Sequence, residues 1–228
     1  MSNLIRFIRD ISSHQLTVIR DDGLYRHLRF ARPNTNAYQF DIVTWPGYLT
    51  VTGDMGTWTF SRIADMFNFF TADHDGKRES FQINPGYWSE KFESGAGCRH
   101  TDSPCYEFDE TALIKALDEW HTEWLSGSGA DEDESDKAEV AEKIISLTWE
   151  SFSNANQAYA AVDAADLPDF DMSYVFEGLS MHRYTFHYLW ICYAIVWGIE
   201  RYRNKKLALN AMDKFFACQP VKGAINEQ

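Results

Sequence analysis

FDIVTWPGYLTVTGDMGTWTF, residues 40–60, alternates apolar and polar side chains and is punctuated twice by turn residues. Phe40, Ile42 and Thr44 face one way, as the period of a half-buried strand requires. Pro46-Gly47 supplies φ near −65° followed by positive φ, the needs of a type II turn. Tyr48 to Thr52 is the return strand, Gly53-Asp54-Met55-Gly56 turns again, and Thr57 to Phe60 is a third strand. Working outward, Gln15 to Arg20 is β-rich and Asp21-Asp22-Gly23 is a turn signal. Tyr25 to Ala31 puts Tyr25, His27, Arg29 and Ala31 on one face and Arg26, Leu28 and Phe30 on the other. Pro33-Asn34-Thr35-Asn36 is a loop. Short connections make neighbouring strands antiparallel, so residues 1–62 are expected to form a meander of four to five strands.

Helical signals follow. Ser61 is the expected cap of a helix carrying Ile63, Met66, Phe67 and Phe70 at i, i+3, i+4 and i+7. Residues 72–106 read as irregular, with Asn84-Pro85-Gly86-Tyr87-Trp88 as a turn followed by aromatics. Asp109 is a strong N-cap, with Phe108 and Leu113 placed to form a hydrophobic staple across it. Leu113, Leu117, Trp120 and Trp124 then mark a helix that Gly127-Ser128-Gly129 ends. The acidic run Asp131 to Asp136 is either a flexible linker or the start of the next helix, where acids favourably meet the helix dipole. A stripe from Ala141 through Ile144, Ile145, Thr148, Phe152, Ala155 and Tyr159 to Val162 predicts one long amphipathic helix, ended before Pro168. A helix from about Arg183 to Arg203, apolar nearly all round, is the expected central helix. Asn204 is its expected stop, and Leu207 to Phe216 a short final helix. Strands first and helices later argue an α+β fold. It is expected as a single domain: 1–62 mainly strands, 63–125 helices and loops, 126–137 a mobile acidic segment, and 138–228 helical.

The chain of 228 residues is 45% apolar and 15% aromatic, ample for a sizeable core. Its net charge of −13 is unevenly placed. Residues 1–63 and 171–228 each carry +2, whereas 64–170 carry −17. Such a block repels nucleic acid and favours basic partners; it also serves as a solvated surface that aids solubility. The four cysteines, Cys98, Cys105, Cys192 and Cys218, are too few for a disulfide framework, and Cys192 reads as a reduced core residue. The first residues lack the apolar segment of a secretory signal. The charge-free run Tyr184 to Ile199 is short for a bilayer and reads as a buried helix. A cytoplasmic protein with no membrane contact is the expectation.

Motifs that carry chemistry are few. Cys98, His100 and Cys105 give a C-x-H-x₄-C spacing without an evident fourth zinc ligand. His182 and His187 stand five apart, off the i, i+4 spacing of helical metal pairs. Serine-nucleophile and phosphate-loop signatures are absent, and no cofactor is expected. Asp41 and Asp54 could pair as acid and base or hold a metal, although Asp between glycines is ordinary turn chemistry. Arg20, Arg26, Arg29 and Arg32 with His27 could grip phosphates, with Tyr25 or Tyr38 stacking a base; Tyr87 and Trp88 are further candidate ligand contacts. The row could equally blunt an exposed sheet edge. Asp131, Glu132, Asp133, Glu134, Asp136, Glu139 and Glu142 form the candidate partner-binding face, since carboxylates displayed on a helix can copy a row of DNA phosphates.

The stretches YTFHYLWICYAIVWGIERY (184–202) and FDIVTWPGYLTVTGDMGTWTFSR (40–62) resemble a family of uncharacterised accessory proteins of temperate phages and prophages of proteobacteria. The resemblance implies an accessory product acting in the host cytoplasm and carries over no catalytic residue. The expectation is a non-enzymatic protein that binds and inhibits a basic host protein, such as a nucleic-acid-handling defence complex. The alternatives are a metal-assisted hydrolase using Asp41 and Asp54, and a nucleotide-binding sponge using the arginine row.

Overall fold

The computed structural model describes residues 2–71, 81–96 and 104–217. Cys98, His100 and Cys218, and with the first two the C-x-H-x₄-C motif, lie outside the described residues. The chain divides into two compact units, residues 1–97 with 189–228, and residues 98–188.

The first unit opens with a helix that strand reading had not anticipated, α1 (Asn3–Ile11), capped by the Ser2 side chain accepting from the Ile5 amide. Leu4, Phe7 and Ile11 share its inner stripe, and Phe7 and Ile11 are buried. β1 (Gln15–Asp22), β2 (Tyr25–Ala31), β3 (Phe40–Trp45), β4 (Tyr48–Gly53) and β5 (Gly56–Ser61) follow as the antiparallel meander. A sixth strand, β6 (Phe92–Ala96), extends it along β5 and comes from the segment that reads as irregular. The fold class is α+β. The helix expected after Ser61 starts later: α2 (Met66–Thr71) begins at Asp65, whose carboxylate accepts from the Phe67 amide, and Ile63 is left exposed. α3 (Pro85–Ser89) is one turn, capped by Asn84.

The inner face of the sheet carries Leu28, Phe30, Phe40, Ile42, Leu49, Val51, Trp58 and Phe60, all fully or almost fully buried. Against it lies the part of α8 (Phe186–Ala217) that belongs to this unit. Trp197 meets the rings of Phe30 and Phe40 at 5.3 and 6.2 Å, and Trp190 meets Phe40 and Phe7 at 5.5 and 5.1 Å. Gly198 lets the helix approach, because a Cβ there would stand 2.6 Å from Ile42 Cδ1. α8 runs through Asn204 without stopping. Asn lowers helix propensity by only a few tenths of a kcal/mol, and neither Gly nor Pro follows before Pro220. Cys192 is fully buried, as expected of a core residue.

The second unit contains β7 (Tyr106–Phe108), α4 (Glu110–Ser126), α5 (Glu134–Trp149), α6 (Ala155–Ala164), α7 (Met172–Val175) and β8 (His182–Tyr184), the last paired antiparallel with β7. Asp109 caps α4 as expected, accepting from the Thr111 and Ala112 amides, and Phe108 packs on the cluster that holds Leu113. The long helix expected over 141–162 is two. The Asn154 side chain caps α6 by accepting from the Gln157 backbone amide, while the Gln157 side-chain Oε1 accepts from the Ser153 backbone amide. That reciprocal cap interrupts the apolar stripe, which periodicity alone cannot reveal. His182 lies on β8 rather than on a helix, and His187 is half-buried beside Phe186. The core joins Leu113, Leu117, Trp120 and Trp124 of α4 to Val140, Ile144 and Leu147 of α5 and Ala158 and Val162 of α6. Among the described residues no helix is long and apolar enough to cross a membrane.

Candidate functional site

Two surfaces gather the chemistry-bearing residues. The first is the outward face of the sheet. Strand alternation brings Arg29 directly opposite Asp41 on neighbouring strands, with His27 two residues along. Arg29 donates through Nε and Nη2 to the two carboxylate oxygens, both at 3.0 Å, and His27 Nε2 lies 2.6 Å from Asp41 Oδ2. Together they leave Asp41 only 6% exposed on a face that looks to solvent. Burial pushes the Asp41 carboxyl up, but the hydrogen bonds and charges of Arg29 and His27 outweigh it and hold the group below the usual carboxylate range. The Arg29 guanidinium is raised by the same contact.

The remaining arginines do not form a row. Arg26 turns to the inner face, where it makes a bidentate pair with Asp65 at 2.8 and 3.0 Å and stands over the Phe67 ring. Arg20 pairs with Asp22 and lies over Tyr25, and Arg32 is exposed beyond the end of β2. The alternation of β2 foretold this split, since positions 26 and 29 have opposite parity.

Asp54 and Asp41 are engaged separately. The Asp54 carboxylate accepts from the Tyr38 amide at 2.9 Å, and its own amide donates to the Gln39 carbonyl at 2.9 Å. It therefore fastens the loop before β3 to the β4–β5 turn. Tyr38, at φ +58°, stacks near Trp190. Trp88 is 5% exposed and meets the Phe70 ring edge-on, so it belongs to the core, while Tyr87 lies under Lys91. Among the described residues no group of three or more His, Cys, Asp or Glu side chains is arranged to hold a metal.

The second surface is acidic and belongs to α5 and its approach. Asp133 caps the helix, accepting from the Ser135 and Asp136 amides, and Glu134 and Asp136 sit in its first turn, so this half of the acidic run is helix start. Glu134 and Glu139 reach Lys137 and Lys143 at 3.6 and 3.2 Å. Asp131, Glu132, Asp136 and Glu142 have no side-chain partner among the described residues, nor have Glu123 on α4 and Glu150 past the end of α5. Glu142, Ile145 and Trp149 fall at i, i+3 and i+7 on one stripe. Ile145 is 55% exposed and Trp149 86% exposed. Ile145, expected on the apolar stripe with Ile144, is instead outward, because neighbouring apolar positions on a helix do not by themselves tell which one the core takes.

No family model matches the chain. Neither a curated protein nor a solved structure does so either, and the functional reading rests on these two surfaces.

Proposed function

We propose that the protein is a non-enzymatic binding protein that docks a basic partner on the outward stripe of α5 and inhibits it by occupying its nucleic-acid-binding surface. The observation that carries this reading is Trp149, 86% exposed beside Ile145 on a helix edged by unpaired carboxylates. Solubility accounts for the carboxylates. It does not account for a solvated indole, whose rigid apolar area is what interface hot spots use. Acids around an aromatic anchor select a positively charged groove and speed encounter with it. A host nucleic-acid-handling protein is such a partner, in keeping with the accessory phage role that the two resembling stretches imply.

The test is affinity capture from bacterial lysate with the wild-type chain, W149A, and the charge reversal E139K/E142K. The expected result is one basic protein, retained by wild type, released by excess duplex DNA or raised salt, and lost from both variants. Truncating a buried Trp anchor weakens binding by about 2 kcal/mol or more, roughly thirtyfold. Retention of the same protein by W149A and E139K/E142K would refute the reading.

A further inference from the structure

The outward face of the sheet holds a feature that the acidic surface does not use. Trp45 is paired across to Tyr48, and one step back along the β2–β3 ladder Arg26 is paired to Thr44. The same register sets Tyr25 beside Trp45. Tyr25, Trp45 and Tyr48 thus form a lateral aromatic row across three adjacent strands, on the solvent side. Trp45 and Tyr48 stack on each other, with centroids 5.2 Å apart and planes 16° apart, and it is Trp45 and Tyr25 that border the cleft described next. Tyr25 is 46% exposed.

A cleft of about 520 Å³ opens at this row, lined by Ile19, Arg20, Tyr25, His27, Val43 and Trp45. That volume suits a small organic ligand. Its shape comes from a β-bulge: the register shifts between Val18 and Arg20, leaving Ile19 unpaired and exposed at the rim. Arg20 is paired with His27 across the strands. Among the described residues its only ion pair is with the exposed Asp22, a contact of little strength that an incoming anion can replace, and its guanidinium stands over the Tyr25 ring. His27 has its Nε2 fixed by Asp41, and its Nδ1 has no protein partner among the described residues.

We propose that this cleft binds a nucleoside monophosphate, its base stacked on Trp45 beside Tyr25 and its phosphate held at Arg20 beside His27. Adjacent rings on a sheet face are a stacking platform for a planar base, and base stacking tolerates any base identity. Arg20 and His27 stand about two residues along the strands from the row, close to the reach from a base to its own phosphate. A free nucleotide fits better than a polymer. The chain carries −13, which repels a polyanion far more than a ligand with one or two charges.

The test is equilibrium binding of fluorescently labelled adenosine monophosphate, with unlabelled adenosine, inorganic phosphate and a short single-stranded oligonucleotide as competitors. Y25A, W45A and R20Q are compared with the outer-face control T57A, and each fold is checked by circular dichroism. The expected result is saturable binding that adenosine and phosphate each compete for more weakly than the nucleotide does. It is weakened roughly tenfold or more by Y25A and W45A, weakened by R20Q, and unchanged by T57A. Absence of binding at millimolar nucleotide overturns the proposal. So does binding that Y25A and R20Q leave intact, or an oligonucleotide that competes more strongly per nucleotide than the monomer, which would assign the face to nucleic acid. Y25A and R20Q alter exposed side chains and carry the test should W45A fail to fold.

Discussion

Replacing Gly53 with alanine tests the account of the β4–β5 turn most directly. Gly53 has φ +155°, and a Cβ built on it would lie 2.1 Å from the Gln39 carbonyl oxygen and 2.8 Å from Phe40 Cα. Both are backbone atoms, so no side chain can rotate away. Relief requires either the turn or the strand start at Phe40 to move. Moving Gln39 stretches the hydrogen bond its carbonyl accepts from the Asp54 amide, and with it the neighbouring bond from the Tyr38 amide to Asp54. An unfavourable φ costs about 1–3 kcal/mol and a lost backbone hydrogen bond about 1 kcal/mol, which together give roughly 2–4 kcal/mol. For a chain of this size that corresponds to a drop of roughly 4–16 °C in Tm. Gly47→Ala is the control. Gly47 is also at positive φ, +88°, but nothing lies within 4 Å of its Cβ position. It should therefore cost only the strain, about 1–2 kcal/mol. Urea unfolding followed by tryptophan fluorescence measures both variants, at the transition in which the sheet unfolds. If G53A is no more destabilised than G47A, the backbone overlap does not govern this turn.

Further outcomes follow from the same geometry. Asp41→Ala should destabilise by about 1–3 kcal/mol in chemical denaturation: it strands Arg29 and His27, but Arg29 is partly solvated, so the full cost of breaking a buried pair is not reached. Gly198→Leu should lower the thermal midpoint by several degrees, because the added side chain enters space held by the buried Ile42 and Phe30. Trp149→Ala should leave stability within about 0.5 kcal/mol of wild type, since the ring is almost wholly solvated. Stability should also fall with acidification in two stages. Burial lowers the His14 pKa from 6.5, so below about pH 6.5 the unfolded chain takes the proton first and stability declines until the folded-state value is passed. Asp21, Asp41 and Asp65 are held below the usual 3.8, so their contribution is present above about pH 4 and is lost as pH falls through their folded values. His14→Gln should remove the first stage from a pH series of urea midpoints and leave the second.

The meander was legible because its three tight turns have a local chemical cause: Gly23, Gly47 and Gly56 all sit at positive φ. The Asp109 cap was legible for the same reason. α1 escaped strand reading although Leu4, Phe7 and Ile11 keep helical spacing after Ser2, a short signal beside five strand signals. β6 escaped because Phe92–Ala96 contains Ser and Gly and is a strand only through its pairing with β5. The split between α5 and α6 turns on one reciprocal cap, and the continuity of α8 on the absence of a breaker stronger than Asn204. At the sites, strand parity sufficed to separate Arg26 from Arg29. The exposure of Trp149 and the aromatic row across β2–β4 needed tertiary structure: the first depends on which helix face the core takes, the second on inter-strand register.

The two units also differ in how they handle carboxylates, and the difference bears on function. Every acidic side chain from Asp10 to Asp65 has a donor: Trp190 Nε1 for Asp10, Tyr202 and Lys206 for Asp21, Arg20 for Asp22, Arg29 and His27 for Asp41, the Tyr38 amide for Asp54 and Arg26 for Asp65. Those acids are structural, each tied to a donor within its own unit. Along α4 and α5 the carboxylates are instead exposed, and the few lysines reach only Glu119, Glu134 and Glu139. Unpaired like charges on neighbouring helix positions repel and cost a few tenths of a kcal/mol each. Past the first turn of α5, where Glu134 and Asp136 meet the helix dipole, folding gains nothing from keeping them beside a solvated Trp149. A partner whose own surface is basic would recover that repulsion on binding and bury the indole in the same event. The charge reversal E139K/E142K should accordingly cost no more than the Glu139–Lys143 pair it turns into a repulsion, about 0.5–1 kcal/mol, while abolishing capture of a basic partner. A larger loss of stability in that variant would instead make the acidic stripe part of the fold.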